Sequence, residues 1–412
     1  MSRERTYRDR IEQYNPGINA FLDLSECSDG DGLCYGVKSN IAVQGLPWTA
    51  GIGAYEKRVA QKDATVISRI RANGGVILGT LNMHEGALGA TTDNEFYGRT
   101  YNPWREGFTP GGSSGGSGSA VSAGLCDIAL GSDTMGSVRI PAAYCGVQGH
   151  KPSTGIVPND GVVYLSHTLD HVGPLARSVE FLWQSMHVLA DWGDPTALSS
   201  MNLSGVRIGV WTGNSDVEMT AAVRAGVDEA IRKLKAAGAI LIEGITPPSY
   251  YYGKSRRAGL LISEVEAMSV HSDQIAKYPD GFSRDFKKLL SWGAARPTAE
   301  LEWAYEHLRN VRSGANSLFN DVEFVISPTA PQQAFAFGAS VPANQADFTA
   351  WADFAALPAT AVYAGLSAEN GLPLSLQVMA AESRDCDTLQ LAAALEELFG
   401  PPASPPGYEF TS

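Results

Sequence analysis

The chain has no excess of cations: 31 Lys and Arg stand against 44 Asp and Glu, a net charge of −13 over 412 residues. Phosphate binding needs clustered Lys and Arg to release counterions, so this balance weighs against nucleic acid as the main partner, and against an anionic membrane surface. Long apolar runs are also missing. No segment approaches the roughly 20 residues of a membrane span, and the N-terminal MSRERTYRDRIEQYN lacks the apolar core of a signal peptide. A cytoplasmic protein is expected. Cysteine is sparse: Cys27, Cys34, Cys126, Cys145 and Cys386 are odd in number, widely spread and free of CxxC or Cys/His spacing. That pattern gives no support to zinc or another metal, and predicts reduced, mostly buried thiols. Internal repeats are absent. So are the GK[ST] ending of a phosphate loop and a GxGxxG followed by an acidic residue, which leaves phosphate or dinucleotide binding a poor fit.

What is present is 44% hydrophobic residues in a chain long enough for a large core. Helical and strand periods alternate. Asp63 to Asn73 carries Val66, Ile67 and Ile70 at helical spacing, stops at Gly74-Gly75 and runs into the apolar Val76-Ile77-Leu78. The unit recurs as a strand from Arg207 to Trp211, a helix from Asp216 with Val223, Val227, Ile231 and Leu234 on one face, a stop at Gly238 and a strand from Ala239 to Ile242. This alternation predicts an α/β fold with a mainly parallel or mixed sheet covered by helices on both faces. Asp191 to Gly205, rich in Pro, Ser, Gly and Asn, is read as a surface crossing within one domain of residues 1–412, because Glu323 to Ile326 and Leu374 to Val378 supply more strands. Tyr250 to Phe319 is helical and more polar, as a cover over the sheet would be; the cover as a whole is placed at about 215–320.

Between Gly111 and Gly155 serine and glycine recur where a plain core would place branched apolar side chains. Glycine serves where backbone turns sharply or approaches something closely, so the two clusters, GGSSGGSG and GSDTMGS, read as loops converging on one pocket. The first formally matches GxSxG, with Ser114 as an α/β-hydrolase nucleophile and His150, His167, His171, His187, His271 or His307 as a partner. Its preceding segment, Trp104 to Pro110, is polar and broken by proline where that motif requires a buried strand. The second cluster follows the apolar Ile128-Ala129-Leu130 and precedes Val138-Arg139-Ile140-Pro141, which places Ser137 at a strand-to-helix junction where N–H groups converge as an oxyanion hole.

Together GGSSGGS and DTMGSVRIPA resemble the motif of the amidase signature family, with Ser113 and Ser137 24 residues apart as in that family. Tyr35-Gly36-Val37-Lys38-Ser39-Asn40 resembles its lysine strand, with Ser39 where Asp is usual. Met83-His84-Glu85, Tyr101-Asn102-Pro103-Trp104, the segment Leu169 to Ser178 and Gly371-Leu372-Pro373 extend the likeness along the chain. The resemblance implies a single α/β/α domain around a twisted mixed sheet, with a signature core of about residues 30–200. It also implies a Ser–cis-Ser–Lys triad of Ser137, Ser113 and Lys38, a cis bond at Gly112-Ser113, and an oxyanion hole from the N–H groups of Thr134, Met135, Gly136 and Ser137.

Lys38 serves as a base only when neutral, so its ordinary pKa of about 10.4 must fall toward 7, as burial in the apolar Val37 to Val43 strand would make it do. Asp133 and Arg139 are read as a buried ion pair supporting the turn, and His171 as structural. Met135, where most members have glycine, predicts a reshaped, more apolar acyl site. The pocket is expected from Met83, Met135, Tyr144, Phe337 and Trp351, with the aromatic Tyr164, Phe335 and Phe348 nearby hinting at an aryl or apolar acyl group. The reading is an amidase that hydrolyses a small-molecule carboxamide or related C–N bond through an acyl-enzyme on Ser137, releasing ammonia or an amine and needing no cofactor. A homodimer is the expectation the family resemblance adds. The alternatives are the glutaminase (A-type) subunit of a tRNA-dependent amidotransferase and a non-catalytic binding protein on the same fold.

Overall fold

Short local signals set the elements that carry the site. The computed structural model describes residues 2–213 and 216–409. Helix α1 (Arg3–Ile18) starts where the Ser2 hydroxyl caps the N–H of Arg5, and leads to β1 (Phe21–Leu24) and β2 (Cys34–Lys38). Helix α2 (Thr65–Ala72) buries Val66, Ile67 and Ile70 and feeds β3 (Val76–Leu81). A small hairpin, β4 (Asp93–Asn94) with β5 (Gly98–Arg99), precedes α3 (Gly115–Ser122), β6 (Ile128–Asp133), α4 (Arg139–Cys145), β7 (Gln148–Lys151), β8 (His171–Ala176) and α5 (Val179–Ala190). The second half runs β9 (Arg207–Val210), α6 (Ala221–Ala236), β10 (Ile240–Glu243), α7 (Tyr252–Lys277), α8 (Arg284–Ala294), α9 (Thr298–Leu318), β11 (Phe324–Pro328), α10 (Ala350–Phe354), β12 (Ala359–Leu366), β13 (Pro373–Met379) and α11 (Asp385–Phe399).

Among the described residues eleven strands form one mixed sheet in the order β1-β3-β2-β6-β8-β7-β12-β13-β11-β9-β10. The strand pairs β2/β3, β2/β6, β9/β10 and β9/β11 are parallel, and β6/β8 and β12/β13 antiparallel. The two-residue period of a strand divides the core between the faces. Ile77, Ile128 and Leu130 join the cluster made with α2, α5 and α11, whereas Leu78 and Ala129 join that made with α1 and α3. Helices thus cover both faces, as the alternation predicted.

Element ends depart from the sequence reading for local reasons. Helix α6 starts at Ala221 rather than at Asp216, because the Thr220 hydroxyl caps the N–H of Val223. Strand β3 runs on to Leu81, held by parallel pairing of Lys38 with Leu81. The crossing after α5 is tied down by Trp183 Nε1, which donates to the Thr196 carbonyl at 2.7 Å. Helices α8 and α9 each pack against α7 within the stretch read as the cover. Among the described residues no helix is long and apolar enough to cross a membrane.

Candidate active site

Strand β2 lies between β3 and β6 and is buried along its length, so its last residue, Lys38, is fully enclosed. Among the described residues its side-chain nitrogen has only neutral acceptors in reach: Nζ donates to Ser113 Oγ at 2.7 Å, to Ser132 Oγ at 2.8 Å and to the Ser132 carbonyl at 3.3 Å. Burial pushes its pKa down from 10.5 to about 7, against the opposing pull of Asp170 and Asp133. Asp170, also enclosed, is raised by burial to about 6, with the Thr134 hydroxyl donating to it at 2.6 Å.

Ser113 sits in the loop before α3, and the Gly112-Ser113 peptide is cis. Gly112 presses on neighbouring backbone: a Cβ there would lie 2.8 Å from Thr91 N and 2.9 Å from Ala90 C. The loop is pinned by the His84 N–H donating to the Ser113 carbonyl at 3.0 Å. Ser114 and Ser117 bond the backbone of β6, at Ser132 and Leu130. The Ser114 side chain is thereby committed to the sheet rather than to a histidine.

Ser137 occupies the turn between β6 and α4, which winds around the Asp133 carboxylate. Asp133 accepts from the N–H groups of Gly136 and Val138 and from Arg139 at 3.0 Å. Gly136 has φ +131, and a side chain there would collide with Thr349 Oγ1. The Ser114 N–H donates to the Ser137 carbonyl at 3.2 Å, which joins the two glycine-serine clusters. One expected oxyanion donor is corrected here. The Gly136 N–H is taken by Asp133, while those of Thr134, Met135 and Ser137 have no acceptor among the described residues.

Behind the turn, Arg139 also reaches Asp353 at 2.7 Å, the Thr349 carbonyl and Gln377. All three charged groups are fully buried. Burial acts to raise Asp133, but Arg139 and the Val138 N–H outweigh it and hold the carboxyl below its ordinary range. Asp353, by contrast, is raised well above it by burial and by Asp133. His171 lies behind Asp133, its Nε2 paired with the Thr154 hydroxyl at 2.7 Å; burial lowers its pKa to about 3. All five cysteines are free; Cys34, Cys126 and Cys145 are buried, and Cys27 and Cys386 exposed.

Ser137 opens on a cavity of about 150 Å³, lined by Met135 and Thr134, by Leu88 and Ile140, by Leu165, by Gln345 and Ala346, and by Arg256, Leu260 and Ser263 of α7. Of the five side chains expected there, only Met135 contributes. Met83 is packed into a core with Phe282 and Phe286, and Trp351 into one with Trp211 and Phe319. Tyr144 stands behind the wall, donating its hydroxyl to Gln345 Oε1 at 3.1 Å. Phe337 lies edge-on to Tyr101 under Arg99. The aromatic side chains are spent on packing, so the wall is aliphatic.

The sequence reading missed Ser132, Asn40 and the face of α7. Ser132 precedes Asp133 in the motif, and the pairing of Val37 with Leu130 carries it level with the end of β2. Asn40 Nδ2 donates to Ser132 Oγ at 3.0 Å, two residues along from Lys38. Among the described residues no group of three or more His, Cys, Asp or Glu is disposed to hold a metal.

A family model described as Amidase matches residues 31–389. The A-type subunit of the glutamyl-tRNA(Gln) amidotransferase of Anaeromyxobacter dehalogenans is 34% identical over 429 residues, covering 92% of this chain and 85% of that one. A structure from work on an unexpected vestigial protein complex and the evolutionary origins of an s-triazine catabolic enzyme superposes with a TM-score of 0.87. It is 30% identical and covers 97% of this chain and 95% of that one. A 6-aminohexanoate cyclic dimer hydrolase superposes with a TM-score of 0.85 at 25% identity, covering 96% and 93%. With motif, fold and family model in agreement over most of its length, the chain belongs to the amidase signature family.

Proposed function

We propose that the protein cleaves a small carboxamide C–N bond by acyl transfer to Ser137. The observation that carries this is the enclosed Lys38, its Nζ 2.7 Å from Ser113 Oγ and its pKa brought to about 7. In the reaction, neutral Lys38 takes a proton from Ser113 as Ser113 takes that of Ser137, whose oxygen attacks the carbonyl. The N–H groups of Thr134, Met135 and Ser137 receive the oxyanion, each such donor being worth about 10²–10³ in rate. The proton returns through Ser113 to the leaving nitrogen, and water then hydrolyses the acyl-enzyme. The products are a carboxylate and ammonia or an amine. Ser137→Ala is expected to abolish turnover and labelling by a serine-reactive phosphonate; labelling that survives removes Ser137 from this role.

A second reading concerns where the ammonia goes. The A-type relatives support the glutaminase subunit of a tRNA-dependent amidotransferase, in which ammonia passes to a partner's site, more than they support release to water by a stand-alone amidase. The purified chain separates the two. A stand-alone amidase turns over amides by itself, whereas an A-type subunit is weak on glutamine until its partners are added. A cytoplasmic location fits either.

A further inference from the structure

Asp170 stands at the end of the sheet where the site is built, and strand register puts it there. In the antiparallel pair of β6 and β8, Asp133 lies opposite His171, so the next step along sets Thr134 against Asp170. On the other side of β6, the parallel pairing of Val37 with Leu130 brings Lys38 to the same end. The backbones of Lys38 and Asp170 are thus two strands apart, about 10 Å. Asp170 is 6% exposed and spends both carboxylate oxygens on the site: Oδ1 accepts from the Thr134 hydroxyl at 2.6 Å, and Oδ2 from the Leu165 N–H at 2.9 Å. Thr134 and Leu165 both line the cavity at Ser137. The segment itself is braced, since the Asn159 side chain donates to the Asp170 carbonyl at 2.6 Å and accepts from the Val172 N–H at 3.1 Å.

The same carboxylate faces Lys38 as a charge. Of the two groups that oppose the effect of burial on Lys38, Asp170 acts more strongly than Asp133, which is already paired with Arg139. His84 also faces Lys38, and burial lowers its pKa to about 4, so it is neutral where the base works. Tyr164, on the Asp170 side, is raised by burial and is neutral as well. Asp170 titrates at about 6 even when raised by burial, and is therefore ionised at pH 7. A buried lysine with no opposing charge is too weak a base to take the Ser113 proton efficiently.

We propose that Asp170 is a positioning residue for acyl transfer: its carboxylate fixes Thr134, whose N–H is offered to the oxyanion, and Leu165 of the cavity wall, while its charge keeps Lys38 basic. This rests on the amide hydrolysis proposed above. Asp170 touches neither the substrate nor the reacting atoms, and acts through Thr134 and Lys38. One group thereby couples the base to the oxyanion hole. Unit charges about 10 Å apart in an effective dielectric of about 20 shift one another's titration by about one pH unit.

The test is the pH dependence of kcat/KM on valeramide, a primary amide small enough for the cavity. D170N removes the charge, so the acid limb is expected to move about one pH unit lower. Its plateau should fall about tenfold, because the Asn oxygen replaces only one of two acceptors. T134V keeps the charge and should lower the plateau with the limb in place, and D170E should likewise leave the limb where it is. A D170N limb that stays put, or a T134V limb that moves as far, overturns the proposal and leaves amide hydrolysis standing. A second readout needs neither turnover nor a folded D170N. Carbon-13 NMR follows the Asp170 carboxyl in S137A, and because linkage is reciprocal, adding K38M should raise its midpoint by the same shift of about one pH unit. An unchanged midpoint overturns the proposal. A wild-type profile with no acid limb, or no cleavage of valeramide, counts against the proposed reaction, with the carboxyl titration still deciding whether Asp170 and Lys38 are coupled.

Discussion

At Lys38 the pKa of about 7 has a direct kinetic consequence. The proposed base works only when neutral, so kcat/KM rises as pH increases through about 7 and levels off above it. A profile flat from about pH 5.5 to 8.5 would exclude Lys38 as the base. Met135 stands where the family usually has glycine, and its side chain lines the cavity. Met135→Gly is expected to widen the range of acyl groups cleaved across a panel of amides; an unchanged profile sinks that role. Arg139 is a matter of stability. Arg139→Met leaves Asp133 and Asp353 buried without their cation and should cost about 3–5 kcal/mol, read as a lower urea midpoint.

Between elements, the decisive contact is that of α7 with the turn before α4. Gly259 of α7 leaves the space into which the Met135 thioether fits, and a Cβ there would also come within 2.6 Å of the Phe354 ring. Gly259→Ala is therefore expected to push α7 off the turn, lowering kcat/KM and Tm together. Adding Met135→Gly should restore part of both, because one of the two collisions is then gone. Additive losses in that double variant would show that the two elements do not couple.

For the molecule as a whole, the two halves are interleaved rather than joined end to end. Strand β7 of the first half pairs with β12 of the second, and α11 packs against α5. We propose one domain over residues 1–412. A chain nicked at Gly193, in the crossing after α5, should then elute as one species in native buffer and separate only in denaturant; fragments that part without denaturant would mean two domains. A homodimer is likewise a proposal, decided by sedimentation of the purified chain.

By itself the sequence determined the family, the fold class and the positions proposed as catalytic. Lys38, Ser113 and Ser137 lie in contiguous stretches whose spacing is dictated by local backbone: a strand end, a glycine loop and a strand-to-helix turn. Local geometry is short-range, so it is legible in one dimension. The cavity is not. Its far wall comes from α7, more than a hundred residues beyond Ser137, and which residues of that helix face inward depends on how it packs. The aromatic residues Tyr144 and Trp351 misled because core packing and a ligand pocket use the same side chains. Nor does the sequence show that the Asp133 carboxylate takes the Gly136 N–H, or that Ser263 is left without a partner. Only the tertiary structure decided these, because hydrogen-bond partners and burial are set by groups distant along the chain.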